Sequence, residues 1–173
     1  MSTAAAADFT FFPAELTEAA ARVLALAKGR GVRLAAAETV TSGLLSACLT
    51  SVSGASDVFE RAFVLYHATA KASGLGVPEA VAATHGAVSA EVTKGLAEGA
   101  LTHSTAGAAA AVTGYAGPGG GNARDPVGTI YLAVARKGQP TLEERHVFAG
   151  SRDVVRRQAV AAALALLAGS LQG

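Results

Sequence analysis

Short apolar runs alternate with segments of helical periodicity along most of this chain, and this alternation restricts the fold more than any other feature. Helices are expected at residues 13–30, 44–49, 69–75, 89–103 and 150–169, with a further short helix after Pro78. Strands are expected at residues 32–37, 62–66, 107–113, 129–135 and 142–148. The alternation followed by a late hairpin predicts an α/β fold, a three-layer αβα sandwich with a mixed β-sheet.

The length and the absence of a linker or an internal repeat predict one domain at residues 13–173. Residues 1–12 are expected to form a flexible N-terminal segment, whose aromatic residues Phe9, Phe11 and Phe12 are available to pack on the domain. Alanine contributes 42 residues. Small side chains of this kind let helices lie close to a sheet.

Composition excludes several classes of protein. The net charge of +1 and the lack of a basic cluster argue against a nucleic-acid partner. One cysteine, Cys48, indicates a reducing compartment, and the N-terminus lacks the basic start of a secretory signal, so we expect a cytoplasmic protein. The last apolar stretch, at residues 159–168, is too short for a membrane span. The four histidines lack metal-ligand spacing, so no metal site is expected.

The segment at residues 37–43, AETVTSG, leads from an apolar strand into an apolar helix. A strand that ends in hydroxyl residues and glycine presents backbone N–H groups to an anion, and a hydroxyl there can attack an acyl carbon if a base lies nearby. The alternative is that Thr41 or Ser42 only caps the helix.

A glycine-rich segment at residues 114–128 begins GYAGPGGG. Its glycines permit close approach of the backbone to a ligand, although the segment matches neither the P-loop nor the dinucleotide fingerprint. Either a ligand-binding loop or a flexible surface loop fits this composition. Lys71 follows an apolar strand and is a candidate base, with a solvated helix residue as the alternative.

Taken in order, the blocks AETVTSG, VSGASDVFERAFVLYHATAK, HGAVSAEV, AVTGYAGPGGG, PVGTIYLAVA and GSRDVVRRQAV resemble the CinA C-terminal domain family. The resemblance extends over residues 34–167 and implies a stand-alone domain with the αβα fold. It implies hydrolysis of the carboxamide of nicotinamide mononucleotide in pyridine nucleotide salvage, without a metal or an organic cofactor. It also implies a small-molecule nucleotide as the partner, no membrane partner, and a homo-oligomer.

The resemblance assigns roles to individual positions. Thr39 stands where the family has its nucleophilic serine, Lys71 at the partner base, and Tyr66 at the family tyrosine. The oxyanion would be held near the helix N-terminus by backbone N–H groups. The remaining residues are assigned as follows: Thr41, Ser42 and Gly43 to the oxyanion, and Glu38, Thr113, Gly114, Gly117, Gly119, Gly120 and Arg152 to substrate binding.

Several positions depart from the family pattern. Thr39 replaces serine, Val40 replaces cysteine or leucine, and Ser42 replaces a glycine, which is a strained exchange if the family glycine has a positive φ angle. Residues 67–69 also differ, before Ala70 and Lys71 return to the pattern. Two alternatives to the amidohydrolase therefore stay open: a catalytically degenerate module that binds a nucleotide or a partner, and an amidase with a shifted substrate.

Overall fold

The computed structural model describes residues 10–173, which form six α-helices and five β-strands. In chain order these are α1 Ala14–Gly29, β1 Leu34–Glu38, α2 Leu44–Thr50, β2 Phe59–Val64, α3 Ala68–Leu75, α4 Glu79–His85, α5 Ala90–Thr102, β3 Ala108–Gly114, β4 Thr129–Arg136, β5 Leu142–Val147 and α6 Arg152–Gln172, with a 3-10 turn at Ala55–Asp57. Every predicted element is present.

The five strands form one mixed sheet in the order β2-β1-β3-β4-β5. Strand β1 is parallel to both β2 and β3, whereas β4 runs antiparallel to β3 and to β5. Strand β2 begins at Phe59, three residues before the predicted start, because its pairing with β1 continues to Leu34. The predicted mixed sheet is confirmed.

Two helical layers cover the sheet. Helices α1, α2 and α6 pack on one face around larger apolar residues such as Leu34, Ile130 and Leu132. Helices α3 and α5 pack on the other face, where the sheet residues of the apolar core are alanines, with Thr113 also buried against α5. These alanines are Ala35, Ala37, Ala109, Ala111, Ala133 and Ala135. The predicted three-layer αβα sandwich is confirmed, and the alanine excess has a definite place within it.

Helix α6 corrects one prediction. It spans 21 residues and is, by length and composition alone, long and apolar enough to cross a membrane, whereas the sequence indicated a shorter apolar stretch. Half of its most apolar window is buried inside the protein, as in the core helix of a globular domain. Val155, Leu164 and Leu167 are among the residues that α6 buries.

The N-terminal segment is described only in part. Residues 1–9, including Phe9, lie outside the described residues, so the predicted flexible segment at residues 1–12 is seen only from Thr10 onward. Phe12 packs against the core on the α1 side of the sheet. Helix α1 begins at Ala14, one residue after the predicted start, with Pro13 as its N-cap.

Candidate active site

A cavity of about 260 Å³ opens at the edge of the sheet where β1 and β3 end. Because these strands are parallel, their carboxyl ends meet at the same edge, which is the usual position of ligand sites in open α/β sheets. Its lining residues are Thr39, Val40, Tyr66, Ala68, Lys71, Ala87, Val88, Gly114, Tyr115, Ala116, Gly117, Gly119 and Arg152. The sequence segments singled out as candidates therefore converge on this cavity.

Thr39 is the first residue after β1 and is 6% exposed. Its backbone N–H and its hydroxyl both donate to the carbonyl of Val112 in β3, each at 3.1 Å. The hydroxyl is thus held at the floor between two parallel strands, with the side chain bordering the cavity. A side chain fixed in this way is pre-oriented rather than free in solvent.

Lys71 reaches the same cavity from α3 and is also 6% exposed. Its Nζ donates to the carbonyl of Ala87, in the loop between α4 and α5. Burial lowers the pKa of the Lys71 amine below its ordinary value of 10.5, because the ammonium form loses its hydration. The alternative that Lys71 is a solvated helix residue is therefore wrong. Within residues 10–173, no hydrogen bond joins Lys71 to Thr39.

Tyr66 and Arg152 form one side of the cavity mouth. Arg152, at the start of α6, donates to the Tyr66 hydroxyl at 3.0 Å and to the carbonyl of Gly117 at 2.9 Å. Tyr66 is 64% exposed, so the pair lies at the rim and not at the floor. A guanidinium at this rim is suited to an anionic group of a bound ligand.

The glycine-rich loop at residues 114–128 is held by an internal network. Tyr115 and Thr129 are joined by a backbone hydrogen bond of 2.9 Å, and the Gly128 N–H donates to the Tyr115 carbonyl at 2.6 Å. The fully buried carboxylate of Asp125 accepts from Tyr131 at 2.7 Å, from Arg124 at 2.8 Å and from Arg145 at 3.2 Å. The loop is therefore a tied structure, which favours the ligand-loop interpretation over the flexible one.

The charged network also sets the ionisation of its centre. Burial alone would raise the pKa of Asp125, but hydrogen bonds from Tyr131, Arg124 and Arg145 outweigh it and lower the pKa below its usual 3.8. The same burial and the bond to Asp125 raise the pKa of Tyr131. An ionised Asp125 is thus the anchor of the loop at neutral pH.

Glu38 has a different position from the one expected of a substrate contact. It is fully buried and does not line the cavity. One carboxylate oxygen accepts from the N–H groups of Gly43 at 2.9 Å and Leu45 at 3.1 Å, and the other from the N–H and hydroxyl of Ser46 at 2.8 and 2.6 Å. Glu38 is the cap of α2, and the Gly43 amide expected to face an oxyanion already donates to it.

The rest of the turn before α2 is equally constrained. Ser42 has a φ angle of 50°, in the left-handed region, as expected if it replaces a glycine. Its N–H and hydroxyl donate to the Thr39 carbonyl at 3.2 and 3.0 Å. Thr41 is fully buried, and its hydroxyl has no hydrogen-bond partner within the described part of the chain. Neither Thr41 nor Ser42 lines the cavity.

Two further expected substrate contacts lie outside the cavity lining. Thr113 is fully buried, and its hydroxyl pairs with the hydroxyl of Thr93 in α5 at 2.8 Å. Gly120 supports the loop instead: a Cβ added there would lie 3.3 Å from the Tyr115 ring. Gly114, Gly117 and Gly119 do line the cavity.

The sequence reasoning missed Arg156, whose side chain reaches from α6 to the turn after β1. It donates to the carbonyl of Val40 at 3.1 Å and to that of Thr41 at 3.0 Å. The spacing could have indicated it, since residues four apart share a helix face and Arg152 was already a candidate. Tyr115 and Ala87 also line the cavity; both lie in segments singled out from the sequence, but neither was assigned a role there.

The arrangement combines a hydroxyl, an amine with a lowered pKa and a rim guanidinium around one small cavity. A neutral amine can accept the proton of a hydroxyl nucleophile, which is the chemistry of acyl transfer. Within residues 10–173, no three histidine, cysteine, aspartate or glutamate side chains cluster in a way that could hold a metal ion.

Comparisons of the sequence with a family model and with curated proteins point to the same family. The model of the CinA C-terminal domain matches residues 16–171. A CinA-like protein of Syntrophobacter fumaroxidans is 47% identical over 138 residues, which cover 80% of this chain and 32% of that protein. The nicotinamide-nucleotide amidohydrolase PncC of Escherichia coli K12 is 42% identical over 153 residues, covering 88% of this chain and 93% of that protein.

Solved structures agree in fold. The competence/damage inducible protein CihA from Agrobacterium tumefaciens superposes with a TM-score of 0.91 at 37% identity, covering 95% of this chain and all of that one. A CinA superfamily protein of Klebsiella pneumoniae gives a TM-score of 0.87 at 34% identity and covers 91% of this chain and 98% of its own. This chain thus spans nearly the whole length of the E. coli relative and about a third of the CinA-like protein.

Proposed function

The chain belongs to the CinA C-terminal domain family, and we propose that it is an amidohydrolase that converts nicotinamide mononucleotide and water to nicotinate mononucleotide and ammonia. The observation that carries the proposal is the shared cavity of Thr39 and Lys71, each 6% exposed. The similarity to the nicotinamide-nucleotide amidohydrolase of E. coli supports the choice of substrate.

In the first half of the proposed reaction, the Thr39 hydroxyl attacks the carboxamide carbon. The hydroxyl leaves its bond to the Val112 carbonyl, and its proton passes to the neutral amine of Lys71. The Lys71 amine can donate one N–H to the Ala87 carbonyl and still offer its lone pair to this proton. The tetrahedral intermediate then expels ammonia, which takes the proton from Lys71, and an ester on Thr39 remains.

In the second half, water hydrolyses the ester. Lys71, neutral again, takes a proton from the attacking water and returns it to the Thr39 oxygen as the ester bond breaks. Nicotinate mononucleotide leaves, and the enzyme returns to its starting state. The sum of both halves consumes one water and releases one ammonia.

The size of the cavity supports a placement for the parts of the substrate. About 260 Å³ is close to the lower end of ligand pockets, which suits the nicotinamide ring at the floor. The ribose phosphate would then extend to the rim, where Arg152 and Tyr66 are joined by a hydrogen bond of 3.0 Å. Gly117 and Gly119 of the tied loop would contact the ribose because they lack side chains.

We also propose that the reaction takes place in the cytoplasm, as part of pyridine nucleotide salvage, and in a homo-oligomer. Exposed apolar residues such as Val64, Leu142 and Val147 support association of copies. Light scattering on the purified protein tests this part, and a monomer at micromolar concentration would contradict it.

The proposed function is tested by incubating the purified protein with nicotinamide mononucleotide and following ammonia and nicotinate mononucleotide together. Equal amounts of both products are expected from the wild type. Lys71→Ala should lower the rate by about 10²- to 10⁴-fold, as for loss of a general base. No release by the wild type above the Lys71→Ala variant would refute the proposal.

One observation favours a second candidate, a module that binds the nucleotide without turnover. Thr39 and Lys71 each donate to a backbone carbonyl and not to one another. The double variant Thr39→Ser with Ser42→Gly restores the family pattern and separates the two functions. A large gain of ammonia release would favour the second candidate, whereas a loss would support a working threonine enzyme.

A further inference from the structure

The backbone amides around Thr39 can be accounted for one by one. The Thr39 N–H donates to Val112, the Ser42 N–H to Thr39, and the Leu44 N–H to Thr41. The carboxylate of Glu38 accepts the remaining amides at the start of α2, those of Gly43, Leu45 and Ser46. The N-terminus of α2 is therefore already occupied by a carboxylate of the protein itself.

Only two amides of this turn are left over. Within residues 10–173, neither the Val40 N–H nor the Thr41 N–H has a hydrogen-bond acceptor, although the residues are 5% and 0% exposed. Buried N–H groups are nearly always paired, so two adjacent unpaired ones require an explanation. They directly follow Thr39, and Val40 lines the cavity. In enzymes with a nucleophile on a strand-to-helix turn, the N–H after the nucleophile is an oxyanion donor.

Arg156 fixes the orientation of the peptide that carries the Thr41 N–H. Its Nε donates to the Val40 carbonyl and its Nη2 to the Thr41 carbonyl, at 3.1 and 3.0 Å. In a trans peptide the C=O and the N–H point in opposite directions, so the Thr41 N–H points away from α6. The planar fork of arginine holds the Val40–Thr41 and Thr41–Ser42 peptides at once, which a lysine cannot do. The Val40 N–H belongs to the preceding peptide, whose Thr39 carbonyl accepts from Ser42.

We infer that Arg156 is a positioning residue: by holding the Val40 and Thr41 carbonyls it fixes the turn whose Val40 and Thr41 amides donate to the oxyanion formed on the carboxamide. The inference rests on the proposed amidohydrolase function and assigns the oxyanion to the amides of Val40 and Thr41 in place of those of Ser42 and Gly43. Because the oxyanion exists only in the transition state and the intermediate, Arg156 acts on kcat more than on KM.

The kinetic test compares Arg156→Ala and Arg156→Lys with Arg157→Ala, a matched control for an exposed arginine one position along the same helix. Arg156→Ala should lower kcat by about 10²-fold and leave KM within about twofold. Arg156→Lys should recover part of kcat, and Arg157→Ala should match the wild type. A rise in KM without loss of kcat, or unchanged kinetics in both Arg156 variants, would overturn the inference.

A second readout keeps the inference testable if the wild type releases no ammonia and the proposed function fails. Nicotinate mononucleotide carries a carboxylate oxygen near the position of the oxyanion, so its addition should shift the Val40 and Thr41 amide proton resonances in the wild type. In Arg156→Lys these shifts should be reduced. Resonances of Val40 and Thr41 that do not respond in the wild type would contradict the assignment, whatever the rate of turnover.

Discussion

Lys71 is the residue whose environment most directly implies chemistry. A lysine that is 6% exposed and bonded to a backbone carbonyl, without a carboxylate partner in the described chain, has lost its hydration without gaining a counter-charge. Such a group favours the neutral amine, which is the form that a base requires. The sequence allowed this role but could not separate it from that of a surface lysine, because burial depends on the loop that contains Ala87.

The lowered pKa of Lys71 predicts a pH dependence of activity. The value of kcat/KM should rise with pH as the amine loses its proton, and the midpoint of this rise should lie below 10.5, the ordinary pKa of lysine. Initial rates of ammonia release between pH 6 and about 10 measure it. A rise centred at or above 10.5 would contradict the assignment of Lys71 as the base.

The same pKa predicts a pH dependence of stability. Because the folded pKa of Lys71 lies below the unfolded one, protonation costs more in the folded state, and this cost fades as pH rises toward 10.5. Lys71→Met should therefore gain stability over the wild type near neutral pH, and the gain should shrink at higher pH. Urea unfolding of both proteins measures the difference. Lys137→Met, which removes an exposed lysine in the β4–β5 turn, controls for the loss of a charge.

Ser42 carries backbone strain that a substitution can release. Its φ angle of 50° is disfavoured for a residue with a Cβ, although its hydroxyl bond to Thr39 offsets part of the cost. Ser42→Gly should raise the free energy of unfolding by about 0.5 kcal/mol. This gain is what remains once the larger conformational entropy that glycine gives the unfolded chain is subtracted. Ser51→Gly is the matched control. At a φ of −70° this substitution should instead destabilise the protein, and a loss of stability in both variants would contradict the strain argument.

At the scale of elements, the strand–turn–helix around Thr39 and the glycine-rich loop differ in how much of their structure the sequence predicted. The strand–turn–helix around Thr39 was predictable from its pattern, and so was the strained position of Ser42. The capping of α2 by Glu38 was not predictable, because the sequence does not show whether a glutamate side chain is buried or exposed. For the glycine-rich loop, composition left two interpretations open, and the choice depended on Asp125, whose partners Tyr131 and Arg145 lie on β4 and β5.

The loop network predicts the behaviour of an Asp125→Asn variant. The amide removes the charge and places donors against the two arginines, so we expect stability to fall by about 2 kcal/mol and KM to rise. Because the folded pKa of Asp125 is lowered, the difference from the wild type should be full above 3.8 and fade as pH falls through that lowered pKa. Denaturant unfolding and substrate titration measure the two effects.

The control for this variant is Asp153→Asn at the start of α6, where the carboxylate is 83% exposed. It should change stability by less than about 0.5 kcal/mol. An Asp125→Asn variant that matches the control in both stability and KM would contradict the anchoring role of the network.

At the scale of the whole molecule, the alanine layer sets how closely α5 approaches the sheet. The apolar sheet residues that pack under α5 are alanines, whereas the opposite face presents leucine, isoleucine and valine as well. Helix α3, which carries Lys71, packs on α5 in turn. The position of the base relative to Thr39 therefore depends on close packing over several layers, and not only on residues at the cavity.

Gly99 in α5 tests this close packing. A Cβ there would contact the Leu75 carbonyl oxygen and would lie 2.9 Å from the Leu75 Cβ, at the end of α3. Gly99→Ala should destabilise the protein by about 1–3 kcal/mol and lower kcat, since α3 must move. Gly169→Ala in α6 meets no atom within 4 Å and should instead stabilise by up to about 1 kcal/mol. Thermal unfolding and ammonia release compare the two variants, and equal stability changes in both would contradict the packing argument.

The architecture of the molecule was predictable because its hydrophobic periodicities are regular and its helices are bounded by capping and turn residues. The start of α5 at Ser89 is one instance, where the side chain accepts from the Val92 N–H as the capping pattern indicates. The end of α6 was less so, since the helix continues past Gly169, the predicted end, to Gln172. The side-chain geometry of the site was beyond sequence reasoning, because the bond between Thr39 and Val112 and the contacts of Arg156 arise only when distant segments pack together.

The central claim is that the Thr39 hydroxyl attacks the carboxamide, and the most direct measurement is kcat for ammonia release by Thr39→Ala. Alanine removes the oxygen that bonds Val112 and leaves the surrounding backbone unchanged. The account predicts a loss of kcat of at least about 10³-fold relative to the wild type, with the variant still folded. A folded Thr39→Ala variant that keeps kcat within about tenfold of the wild type would contradict the account.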